Sequence, residues 1–338
     1  MLTRTRFRFS KDRMPQGAAM NSHSRKLIGS ALIRDYAIYF ILALIYFAFS
    51  MTTKGFATLN NLILILLQVS VMGIISIGML FVILSKGIDL SVGSILAIAG
   101  MISGIFARND PTTVNVVLAL AIPIILGLVC GLINGVLVAW GRVPPLIVTL
   151  GALYAFRGFI VWYHVNPVYQ LNSWYRIIGQ DKIGIIPVPV LILLLVTVFA
   201  SILLNLTRFG RYVYAVGGNE NAAAAAGINV KLIKLIVYAL SGLLCGLAGL
   251  VFTSRLGAAQ SISGDGFELV AIASVVVGGA SLFGGRGTVG KALVGALLIQ
   301  IIQSGLVMLN VPSPLQKIVM GAIIISAVWV DLRIRKID

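Results

Sequence analysis

GFATLNNLILILLQVSVMGIISIGMLFVILS, residues Gly55–Ser85, runs without one charged side chain and leads directly into KGIDLSVGS. About 20 consecutive apolar residues span the hydrocarbon of a bilayer as a helix. The quoted stretch exceeds that length and ends in the polar, glycine-containing break a turn requires. A second charge-free run, Pro111–Gly141, has the same character. Of the 338 residues, 59% are hydrophobic and only 11% charged, whereas a soluble domain carries roughly 25% charge. So few charges cannot cover a water-soluble body, and disorder needs the opposite composition. The chain reads as an all-α polytopic membrane protein.

Working outward from that stretch, apolar segments fall at 37–53, 61–84, 91–107, 114–140, 146–163, 186–206, 233–254, 268–284, 290–310 and 313–331, which predicts about ten transmembrane helices. Charge placement tests the count. With the N-terminus inside, nineteen of the 26 basic residues fall at inner ends and six at outer ends, and Arg157 lies within a span. This is the bias that orients membrane helices. The expected organisation is a basic cytoplasmic tail (1–36), a membrane domain (37–332) and a short cytoplasmic C-terminal tail (333–338). The expected location is the bacterial inner membrane, multi-pass, with both termini cytoplasmic. No apolar stretch in the first 30 residues reads as a secretory signal. The tail is expected to lie unstructured against anionic lipid headgroups. Met14 and Met20 are alternative translation starts.

The net charge of +16 invites a nucleic-acid reading. The cations are not gathered on a soluble domain, so nucleic acid is not expected as a partner. Cys130 and Cys245 lie in apolar runs and read as small packing residues. With two histidines and no HExxH, no metal site is expected.

Two halves match in order. Gly87-Ile88-Asp89-Leu90 opens the third segment and Gly266-Phe267-Glu268-Leu269 the eighth. Asn134-Gly135 and Val143-Pro144 correspond to Ser304-Gly305 and Val311-Pro312. Five spans separate the matched elements. Because five is odd, the halves would be inverted five-helix repeats, a transporter arrangement with the substrate path at the repeat interface.

GGRGTVGKA, Gly284–Ala292, contains GxGxxG and an incomplete GxxxxGK. Both fingerprints need a strand before and a helix after in a soluble α/β unit. Between two membrane segments the stretch reads as a tight glycine turn. No nucleophile–base pair or paired carboxylates stand out, so no catalytic residue and no cofactor are expected in the chain. The longest polar inner segment is TRFGRYVYAVGGNENAAAAAGINVKLIK, Thr207–Lys234. Within it Glu220–Ala226 predicts a short helix, with Asn219 as N-cap and Gly227 as its stop. Such a helix is either a connector or a knob for a cytosolic partner.

SKGIDLSVGS (Ser85–Ser94), TRFGRYVYAVGGNENAAAAAGIN (Thr207–Asn229) and FELVAIASVVVGGASLFGGRGTVG (Phe267–Gly290) carry a resemblance. The chain resembles, from about residue 35 to its end, the permease subunit of bacterial ABC sugar importers of the ribose/galactose type. KLIKLIVYALSGLL (Lys231–Leu244) is most similar to the ribose permeases. The resemblance implies a type II ABC-importer-like fold and a translocating subunit for a ribose-like monosaccharide. Its implied partners are a cytosolic ABC ATPase that binds ATP and magnesium, an external sugar-binding protein, and a second permease copy or a paralogue. It also implies that the loop at about 207–232 couples to the ATPase, with Glu220, Ala224 and Gly227 as contacts. Two departures stand out. Ala222–Ala226 is all alanine where relatives carry a polar residue, and Lys86 replaces a small residue.

Charges within membranes default to functional hypotheses. Asp89 either caps the third span or lines an inner gate. Glu268 is expected to open the eighth span from outside, where it could meet the sugar receptor. Arg157 either pairs with a carboxylate, Asp89 being one candidate, or snorkels to the interface. Gln68, Asn134, Tyr154, Trp162 and Gln300 are candidate path liners or helix-packing groups. Gly242, Gly246 and Gly249 read as sites of close helix packing. The alternative function is an ion-coupled secondary transporter of a small neutral solute. Such a carrier needs ionisable groups deep in its spans, and these spans are almost bare.

Overall fold

The computed structural model describes residues 22–108 and 111–335. In chain order these form α1 (Ser22–Thr52), α2 (Leu59–Leu84), α3 (Val92–Arg108), α4 (Thr113–Ala139), α5 (Pro145–Tyr163), α6 (Ser173–Gln180), an antiparallel pair β1 (Lys182–Ile183) and β2 (Ile186–Pro187), α7 (Val188–Leu206), α8 (Arg208–Gly218), α9 (Glu220–Ala225), α10 (Val230–Leu256), α11 (Phe267–Val277), α12 (Val289–Met308) and α13 (Ser313–Arg335). Each of the ten apolar segments lies on a helix. Seven helices, α2, α4, α5, α7, α10, α12 and α13, are long and apolar enough to cross a membrane. The apolar parts of α1, α3 and α11 are shorter. The chain is an all-α polytopic membrane protein. Residues 22–36, expected as unstructured tail, continue α1; residues 1–21 and 336–338 lie outside the described residues.

Helix starts follow from local chemistry. Thr58, Thr112, Thr207, Asn219, Asn229 and Thr288 cap α2, α4, α8, α9, α10 and α12 by accepting from first-turn amides. Each such cap is worth about 1 kcal/mol.

Helices α2 and α10 form the centre. From Val69 to Leu84 every residue of α2 is buried, as expected of a helix apolar all round. It meets α10 where Gly78 faces Ser241. The tightest seam joins α4 to α10. Gly127 and Gly131 face Gly242, Gly246 and the Tyr238 carbonyl with no room for a Cβ on either side. Association without a hydrophobic drive needs such small residues, because they let backbones approach closely. The predicted packing role of Gly242 and Gly246 is met here, and Gly249 meets α3 at Gly100.

Pro123 lies inside α4 and lacks the N–H that would bond the Ala119 carbonyl. Ser103 of α3 donates to Ala119 O instead, at 2.6 Å, and its hydroxyl also meets the Tyr175 hydroxyl at 2.7 Å. Tyr175 comes from α6, in the segment between α5 and α7, and Ser254 of α10 donates to its carbonyl at 2.6 Å. No sequence motif marks this anchored cap. Ser103→Ala leaves the Ala119 carbonyl buried without its donor, so it should cost about 1–3 kcal/mol. A lowered melting temperature of the detergent-purified protein checks this.

Helix α11 has 11 residues, much shorter than the predicted 268–284. It starts where predicted and stops seven residues early, because Gly278 packs against the Lys291 carbonyl and Gly279 turns at a φ of 89°. Residues 257–266, ahead of the helix, are irregular. Ala259 packs against Gly104 of α3, and Gly264 packs against Gly93. The segment therefore runs back along α3 for eleven helical residues, about 16 Å.

Contacts between helices repeat. α10 packs on α3 and α4, and α2 packs on α11 and α12. α3 packs on α4 and α5, and α11 packs on α12 and α13.

Candidate functional site

The turn between α2 and α3 is held from three helices. Asp89 is fully buried. Its Oδ1 accepts from the Ser91 amide at 3.0 Å and the Ser91 hydroxyl at 2.6 Å, and its Oδ2 accepts from Ser241 Oγ of α10 at 3.0 Å. Asn134 Nδ2 of α4 donates to Ser91 Oγ at 2.8 Å. Thr149 of α5 and Tyr238 of α10 both donate to the Ile88 carbonyl, at 3.1 and 3.4 Å. Asp89 thus fixes the start of α3, and Asn134 is part of the same network. Serines 91 and 241 were not singled out in the sequence, because serine in a membrane helix is too common to signal anything.

Arg157 does not pair with Asp89. Its Nη1 donates to the carbonyls of Ser261 and Ser263, at 2.6 and 2.9 Å. Asp265 and Glu268 lie near enough to interact with it electrostatically. Backbone carbonyls win because residues 257–266 are irregular and leave acceptors without helical partners. Glu268 lies in the first turn of α11, as expected of a helix-start acid. Its Oε2 lies against Gly93, in the first turn of α3. Residues 257–266 run back along α3 and bring Glu268 beside its first turn. The starts of α3 and α11 therefore adjoin, with a carboxylate and a guanidinium beside them.

The remaining candidates separate. Gln300 is buried on α12 and Gln68 half-buried on α2. Tyr154 and Trp162 are 71% and 82% exposed on α5 and face away from the bundle.

At the end of the bundle where α2 finishes and α10 begins, three connections meet. Thr207 starts α8, and Gly217 near its end has no room for a Cβ between the Leu84 carbonyl and the Gly285 amide. Tyr214 donates to the Gly287 carbonyl at 2.7 Å. Burial pushes its phenol up, so it stays a donor at neutral pH. Lys86 Nζ donates to the Gly218 carbonyl at 3.3 Å, and Gly285 N donates to Leu84 O at 3.0 Å. Gly284 and Gly285 take left-handed φ angles of 83° and 73°, as the predicted glycine turn requires. Helix α9 projects from this junction. Asn219 Oδ1 accepts from the amides of Asn221 and Ala222, and Glu220 pairs with Lys234 at 2.7 Å. Ala223 turns inward, while Ala224, Ala225, Ala226 and Gly227 are exposed.

Comparison with known proteins follows this geometry. Residues 61–328 match the family described as branched-chain amino acid transport system / permease component. The D-allose transport system permease protein of Escherichia coli (strain K12) is 42% identical over 318 residues, covering 92% of this chain and 96% of the relative. The ribose import permease protein of the same strain is 44% identical over 290 residues, covering 83% and 88%. That of Bacillus subtilis (strain 168) is 42% identical over 295 residues, covering 86% and 90%. No solved structure matches the chain. Permeases of this kind are non-catalytic membrane subunits that work with a separate ATPase and a sugar-binding protein. Matched along nearly its whole length, and carrying both the buried Asp89 turn and the projecting α9, the chain belongs to the family of inner-membrane permease subunits of ABC sugar importers of the ribose type.

Proposed function

We propose that the chain forms one half of the membrane path of an importer for a neutral, ribose-like monosaccharide. The sugars named for its relatives are allose and ribose. The observation that carries the reading is α9, a short helix whose exposed face is alanine and glycine and whose Glu220 is held by Lys234. Such a face suits a groove on a cytosolic ATPase, which would bind the ATP and magnesium. Glu220, Ala224 and Gly227 are its contact points.

All ten apolar helices cross the membrane in this reading, with both termini in the cytoplasm. The paired contacts, α10 on α3 and α4 and α2 on α11 and α12, are what two inverted five-helix halves would make. Asp89 and Asn134 hold the inner break in the chain. Arg157 and Glu268 hold the outer one. Buried Gln300 and half-buried Gln68 are packing groups inside the bundle. Tyr154 and Trp162 face a second copy of the chain or a paralogue across α5, and the sugar passes between the copies.

Replacing Glu220 with Lys sets two cations side by side at Lys234 and reverses the charge offered to the ATPase. Uptake in proteoliposomes of the full complex should fall at least tenfold, the order of a coupling free energy of 1–3 kcal/mol, with the permease still folded. Wild-type uptake in that variant would remove α9 from the coupling role.

A further inference from the structure

Lys86 is a non-glycine residue at φ 62°, in the left-handed region. An L side chain rarely adopts that region. Such strain persists only where the surroundings over-determine it. The surroundings here are two other connections. The Lys86 side chain lies against Gly284, and its ammonium reaches the Gly218 carbonyl. Tyr214 of α8 closes the other side by donating to Gly287 O, and Gly285 N closes the third by donating to Leu84 O. Residues 84–87, 214–218 and 284–287 are thus tied pairwise into one block.

Each part of the block continues into something different. Residues 217–218 lead into α9. Residues 84–87 lead, through Asp89, into the start of α3. Residues 278–287 follow the end of α11. Helices α3 and α11 are the two whose first turns adjoin at Gly93 and Glu268. A cleft of about 1340 Å³ lies beside the block, lined by Lys86, Gly217, Gly285 and Asp331 among others, so the block has space to move into.

We propose that Lys86 and Tyr214 are positioning residues that pass a displacement of α9 to both α3 and α11 at once, with the glycine loop 284–287 as the receiving part. This rests on the importer reading and names how that reading would work. The loop that mimics a nucleotide-binding fingerprint then acts as backbone that must lie close to its neighbours. Gly217 is its counterpart across the junction.

The test uses the full chain with its ATPase and sugar receptor in proteoliposomes, and ribose and allose as probes. Sugar imported per ATP hydrolysed is read for wild type, Tyr214→Phe, Lys86→Met and Lys86→Arg. Complexes are isolated through a tag on the ATPase, so only assembled permease is counted. Hydrolysis should stay within about twofold of wild type, while sugar per ATP falls about fivefold in Tyr214→Phe and Lys86→Met, within the range for substitutions along a coupling route. Lys86→Arg keeps a donor at that reach and should recover most of the ratio. A merely structural role would lower assembly or both rates together and leave the ratio alone. An unchanged ratio in both variants overturns the proposal. Wild-type complexes that take up neither sugar on ATP are a separate outcome and count against the importer reading for these sugars. In that case spin labels at Asn221 and Ile262 still decide the coupling question. An ATP-driven distance change that persists in Tyr214→Phe and Lys86→Met overturns the proposal, and one that is lost supports it.

Discussion

Gly242→Val should leave no folded permease to recover from the membrane. A Cβ at Gly242 falls on the Gly127 carbonyl and on the backbone of Gly131. No flexible side chain is there to swing away, so α4 and α10 must separate along their length. Ordinary overpacking costs about 1–3 kcal/mol, and prying two backbones apart exceeds that. Separation also disturbs Asn134 on α4 and Ser241 on α10, which grip the Asp89 turn from either side of the seam. Monodisperse yield from detergent extracts reads the effect. Gly151→Val is the control, because a Cβ there meets nothing. Equal yields from the two variants would show that the seam tolerates a gap.

Arg157→Leu should abolish uptake while the protein still accumulates. The substitution deletes two short hydrogen bonds to Ser261 and Ser263, each worth about 1.5–3 kcal/mol when the donor is charged. It also leaves Asp265 and Glu268 near each other without their cation. Residues 257–266 then lose their hold, and with them the placement of α11. A loss of about 3 kcal/mol changes the population of the closed segment roughly a hundredfold, and uptake should fall by that order. Lysine offers a point charge rather than a fork, so Arg157→Lys should restore only part. Full uptake in the leucine variant would make the carbonyl grip incidental.

The membrane class and the ten apolar segments were legible because hydrocarbon imposes a long, charge-free pattern on the sequence. The caps at Asn219 and Thr288 and the glycine turn at Gly284 were legible because those residue types are selected locally. The path of residues 257–266 was not. Nothing in GAAQSISGDGF, residues 257–267, distinguishes a loop outside the membrane from one folded back along α3, and the contacts that decide it lie on α3. The same applies to Arg157. A carboxylate partner and snorkelling were both open, and its hydrogen-bond partners are carbonyls, which every residue carries and no sequence marks. Asp89 stood out as a lone acid, but its holders, Ser91 and Ser241, are ordinary residues made specific only by the fold. Tyr154 and Trp162 showed the opposite problem. Aromatic residues in a span suggest a lining, and on α5 both point away from the interior of this chain.

Residues 257–266 also limit what can lie beside them. Backbone carbonyls outside a helix or sheet do not face hydrocarbon. Ile262 and Asp265 are exposed on this segment, so one side of it is covered by nothing in the chain. Where the segment lies within the membrane, that side must therefore meet water or another subunit rather than lipid. The amides of the first turn of α11 should exchange with deuterium in seconds to minutes, while those of Val69–Leu84 in α2, sealed on all sides, stay protected for far longer.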